Sequence, residues 1–207
     1  MSLVEKLRSL SPMARRLVIM RFCGHVGMLA CYFIGILGTL TYSLGGTALS
    51  TTFSVGLINL ATVIGNFVGG AMLDSLGPRR HFLISVVATC VSAALFQVLA
   101  DTVEGILICS AVFGLAWGIE DIVARSYAAY ITDDADELSC INPMLSAVTN
   151  LTVVVGPLVG SAITSVSSTR MVFVFGAVMA LAGLVPAAGF HPLRQPAEEE
   201  GAEYSDN

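Results

Sequence analysis

Ionisable side chains are costly inside long apolar runs, so those that occur there are the first candidates for chemistry. Glu120 and Asp121 interrupt an apolar run that starts at Gly105, and Arg125 follows them by one helical turn. His25 lies in another such run, four residues past Arg21. A helix starting at Gly105 places the two acids about 22 Å along its axis, at about 1.5 Å per residue. His25, entering from the opposite end, reaches a similar depth. Three kinds of chemistry fit these types at this spacing. The acids can close a charge latch with Arg125, Arg21 or the Arg79/Arg80 pair. They can bind a proton or a cation together with His25. They can also snorkel to an interface and do neither. All three stay open on sequence alone.

The elements that must position these residues are long. Hydrophobic residues make up 55% of the 207 and charged ones only 12%, against about 25% charged in an ordinary soluble chain. A chain this apolar needs a bilayer as its solvent. Six runs are long enough for the roughly 20 residues a spanning helix needs: Phe22–Leu44, Leu49–Leu73, Phe82–Ala100, Gly105 to about Arg125, Pro143–Val166 and Met171–Phe190. They lack the strict alternation of barrel strands. The first is too long for a signal core and no small-x-small cleavage site ends it, so it reads as a retained span. The expected class is an all-α membrane protein of six transmembrane helices. Residues 1–21 form a basic segment, 22–190 the transmembrane domain and 191–207 an acidic, disordered tail.

If the spans alternate, nine of the ten basic residues fall on one side, with Arg170 the exception. The positive-inside rule then makes both termini cytoplasmic. A net charge of −5 gives no footing for nucleic acid. The five cysteines show no paired spacing and read as small buried hydrophobes, not as a disulfide or metal framework. No HExxH or GxSxG motif and no paired aspartates occur within the spans, and His25, His81 and His191 are far apart, the last two in cytoplasmic connections. An enzyme is therefore not expected, and neither is a cofactor or metal. Gly65 and Gly69, like Gly156 and Gly160, have the spacing that lets helices approach closely in lipid. Pro157 and Pro186 each free a backbone carbonyl and can bend their helix.

The stretch Gly70 to Arg80 reads Gly-xxx-Asp-xx-Gly-x-Arg-Arg. Gly70 and Asp74 share one helix face, Gly77 suits a tight turn, and Arg79 and Arg80 follow at the membrane surface. This resembles the signature loop between helices two and three of the major facilitator superfamily of secondary transporters. The common family version has Arg directly after the second Gly, where this chain has Pro78. Gly156, Pro157 and Gly160 resemble the Gly-Pro-xx-Gly element of helix five in the family's drug–proton antiporters. Family helix four often has an Arg four residues before a Gly; here the Gly is Gly114 and the Arg position is Ser110, so no coupling arginine carries over. The resemblance covers about residues 17–190, as the N-terminal six-helix half of a twelve-helix fold.

The resemblance implies a 3+3 bundle, alternating access and, by the helix-five element, efflux of a small molecule across the plasma membrane. It assigns a conformational latch to Gly70, Asp74, Gly77, Arg79 and Arg80. It makes Tyr32, Asn59, Asn66, Trp117 and Asn150 candidates for lining a substrate cavity, since family cavities are lined by helices one, two, four and five. The implied partners are the bilayer, a small-molecule substrate, and a second six-helix half or a second copy. The competing reading is a truncated, non-transporting six-helix membrane protein or a partner-binding subunit.

Overall fold

The computed structural model describes residues 10–193, and every element in that range is helical. Lys6, Arg8 and the tail residues 194–207 lie outside the described residues. Among the described residues, five helices are long and apolar enough to cross a membrane: α1 (Pro12–Ser43), α2 (Ala48–Leu99), α3 (Val103–Tyr130), α4 (Ala135–Val166) and α5 (Thr169–Ala188).

Their starts follow from local chemistry. Helix α1 begins at Pro12, well before the hydrophobic run expected from Phe22. Proline suits the first helical turn, and the Ser11 hydroxyl accepts from the Ala14 amide at 3.2 Å. The basic residues that obscured this start in the sequence, Arg15, Arg16 and Arg21, are carried on the helix itself. Thr47, Thr102 and Asp134 cap α2, α3 and α4 in the same way. From Cys31 to Ser43 α1 is wound in wider turns, and the Leu44 amide donates to the Thr39 carbonyl five residues back.

Helix α2 has 52 residues, too many for one crossing. It breaks at Gly77, whose φ of 76° and ψ of 167° no helix contains. Glycine tolerates this left-handed φ because it has no Cβ. The chain folds back there. A Cβ on Gly69 would sit 3.3 Å from His81 Nε2, although a continuous helix would hold these residues about 18 Å apart. The sequence places His81 in a connection between spans; it lies within the second arm and is fully buried.

Both arms of α2 pack along α3, and α1 packs on α4 and α5. The closest approach is between α2 and α3. A Cβ on Gly118 would lie 2.7 Å from the Gly65 Cα, and one on Gly114 would lie 3.0 Å from the Ile58 Cα. Main chains therefore meet with no side-chain layer between them. Glycines of α4 meet α1 similarly: a Cβ on Gly156 would lie 2.8 Å from Leu29 Cβ, and one on Gly160 2.9 Å from Ile34 Cγ1. Pro157 stays within the helix. Buried side chains form two clusters. One, at the end of the bundle holding Gly77, joins Leu17, Leu73, Phe82, Val123 and Tyr127. The other, toward Asp101, joins Ile36, Ile58, Phe96, Phe113 and Phe173, with Phe96 and Phe173 stacked at 3.8 Å. Leu60, Phe67, Val98, Leu158 and Val185 point outward, as helices solvated by lipid require.

Candidate functional site

The acids flagged in the sequence meet at Arg21. This arginine on α1 is 1% exposed, and a charge so deeply buried survives only with partners. It has three. Its Nη1 donates to Glu120 Oε2 at 2.8 Å, its Nη2 to Asp121 Oδ1 at 2.9 Å, and its Nε to Thr149 Oγ1 at 3.1 Å. The second Asp121 oxygen accepts from Arg125 Nε at 2.7 Å, one turn along α3. Two guanidinium groups and two carboxylates leave no net formal charge. The cluster ties α1 to α3 and α4 by side chains about 100 residues or more apart in sequence.

Small residues make the room for it. A Cβ on Gly24 would sit 2.6 Å from Glu120 Oε1, so a side chain there would have to displace that carboxylate. Glu120 Oε1 is buried and accepts no hydrogen bond. Next to the cluster lies an open pocket of about 280 Å³. Arg21, Asp121 and Arg125 line one side of it, and Ser146, Thr149 and Asn150 of α4 the other.

His25 does not join the carboxylates. Its Nδ1 is 2.6 Å from Thr152 Oγ1, and the Thr152 hydroxyl gives its only proton to the Thr149 carbonyl. Nδ1 is therefore the donor in this pair. The His25 ring also sits edge-on to Trp117 at 6.2 Å, and Tyr32 packs on the same indole at 5.3 Å. The structure thus brings together Tyr32, Trp117 and His25, and places Asn150 at the pocket beside Arg21. It leaves Asn59 exposed and apart on α2. Asn66 lies against Gly118, with a buried Oδ1 that has no partner.

The loop residues are held differently. Tyr127, fully buried, donates its hydroxyl to the Pro78 carbonyl at 2.7 Å and accepts from His81 Nδ1 at 2.7 Å. This clamps the turn at Gly77 against α3. Asp74, Arg79 and Arg80 are exposed. Among the described residues none of them makes an ion pair within 4 Å, and Arg21 and Arg125 take Glu120 and Asp121 instead. Nothing lies within 4 Å of the position a Cβ would take on Gly70. No group of three or more ligating side chains able to hold a metal occurs among the described residues.

Sequence reasoning named Arg21 only as one rival partner among several, and missed Thr149, Thr152 and Tyr127. The helical spacing of Arg21 and His25 on α1, and of Thr149 and Thr152 on α4, was the available signal for two facing polar edges.

The family model of the Major Facilitator Superfamily matches residues 17–206. A curated relative, the uncharacterized MFS-type transporter YqjV of Bacillus subtilis (strain 168), is 24% identical over 204 residues. The match covers 94% of this chain and 48% of the relative, so the chain spans about half the length of that protein. Long apolar helices broken by a Gly77 turn and a match over nearly the whole sequence lead to one assignment: this multi-pass membrane protein belongs to the Major Facilitator Superfamily.

Proposed function

We propose that this chain acts as a six-span half of a secondary transporter, moving a small molecule by alternating access, with export as the direction. In this reading each arm of α2 crosses the membrane separately, giving a 3+3 bundle. Both termini face the cytoplasm of a plasma membrane, because nine of the ten basic residues fall on that side. The Gly77 turn and the Arg21 cluster then lie at the cytoplasmic end.

One observation carries the proposal. Glu120 and Asp121 are already occupied by Arg21 and Arg125, which leaves Asp74 and Arg80 without an ion pair among the described residues on the exposed side of the turn. Alternating access rocks one half against the other around a fixed site, and unpaired charges on the turn can make and break contacts with that other body. The second half is the proposed partner. The pocket bordered by Asn150 is the proposed cytoplasmic part of the substrate path, and Tyr32 and Trp117 its deeper wall.

The test is side-resolved accessibility. Asn150→Cys in a cysteine-free background is reacted with a membrane-impermeant maleimide from the cytoplasmic side. The expected result is partial labelling that Asp74→Asn shifts at least threefold at equal membrane insertion. Complete labelling in both, or none in either, would show a static body and overturn alternating access.

A further inference from the structure

We propose that the groove beside Arg79 is a binding site for one anionic phospholipid. The groove lies between the second arm of α2 and the end of α5, holds about 230 Å³, and is lined by Arg79, Phe82, Leu83, Leu184, Ala187 and Ala188. Five of its six walls are apolar, and the sixth is a guanidinium that is exposed and makes no ion pair within 4 Å among the described residues. No acid lines the groove; Asp74, across the Gly77 turn, is exposed and makes no ion pair within 4 Å among the described residues, and Glu120 and Asp121 are committed to other arginines.

The geometry points to an amphiphile. Below the groove the lipid-facing surface continues as Leu83, Val87 and Val91, one helical turn apart and each about half exposed. Across from them, Leu181 and Val185 of α5 are also exposed. Acyl chains laid along these two ridges bring a headgroup phosphate to the level of Arg79. A second cation stands close by: the Arg16 guanidinium packs against Gly189, the residue after Ala188 on the groove wall. An apolar helix docking here would bury Arg79 without a counter-charge, which is costly. A phosphodiester supplies that charge and accepts bidentate hydrogen bonds from the guanidinium.

The proposal rests on membership of a membrane family and not on transport, so its test uses no substrate. Purified protein in mild detergent is titrated with phosphatidylglycerol or with phosphatidylcholine of the same acyl chains, and retained lipid is counted by native mass spectrometry. Phosphatidylglycerol should be retained about fivefold better, the worth of roughly one basic residue at a lipid surface. Arg79→Gln should abolish the preference. Ala188→Phe should do the same by filling the groove while keeping the guanidinium. Arg15→Gln, the same loss of charge at an exposed position elsewhere on α1, should leave it intact. Equal retention of the two lipids by the unsubstituted protein, or an equal loss in Arg15→Gln, would overturn the site. So would displacement of phosphatidylglycerol by millimolar inorganic phosphate, which would make the groove a phosphate site and not a lipid site.

Discussion

The two ends of the bundle carry ion pairs of similar chemistry in opposite surroundings. At the Gly77 end, Arg21 and Glu120 are 1% and 4% exposed along their side chains. At the other end, Arg170 pairs with Asp101 at 38% and 76% exposure, while Gln97 donates to the Arg170 carbonyl and Thr39 bonds Thr169. Both link segments far apart in the chain. Only the first commits buried charge, so only there does each partner depend on the others. An exposed pair trades contact with water for contact with its mate and gains little. A buried one, once made, is expensive to break. Covalent chemistry being alike, burial decides which end is a structural keystone.

The sharpest way to break this comparison is Arg21→Met. It leaves Glu120 and Asp121 facing each other with one guanidinium gone, and should lower stability by about 3–5 kcal/mol in detergent unfolding. A loss under about 1 kcal/mol would make the two ends equivalent. Restoring much of that loss by adding Glu120→Gln would show that the penalty is the orphaned carboxylate. Next in size is Tyr127→Phe, which strips the Pro78 carbonyl and His81 Nδ1 of their shared partner. It should cost about 1–3 kcal/mol, and hydrogen exchange around residues 76–82 should rise. Smallest is Asp101→Asn at the opposite end, expected to change stability by no more than about 1 kcal/mol. Its effect should also fade in high salt, which screens exposed charges.

The candidate site was partly legible for a definite reason. Glu120 and Asp121 announced themselves because a charge in an apolar run has few explanations. The Gly77 turn was legible because glycine spacing and basic residues are local signals. Arg21 is only one latch partner among several in the sequence, since its hydropathy looks the same whether its guanidinium meets water or two carboxylates. Its pairing is a tertiary fact linking residues 21, 120, 121 and 149. Tyr127 was invisible likewise: a tyrosine at the end of a helix carries no sign that its hydroxyl closes a turn 49 residues earlier. His81 was misplaced because the turn is shorter than the break in hydropathy, so helix resumes at Pro78 and swallows it. The start of α1 was missed for the same kind of reason, the bundle having room for basic residues that a hydropathy run excludes.

The contact of Gly65 with Gly118 has a mechanical consequence. Where side chains interleave, two packed helices can shift by small sliding as those side chains repack. Here backbone meets backbone, and there is nothing to repack. The first arm of α2 and helix α3 therefore transmit displacement to each other without slack, as one strut. Compliance must sit elsewhere, at joints such as Gly45, whose φ of 61° has no neighbour within 4 Å of its missing side chain.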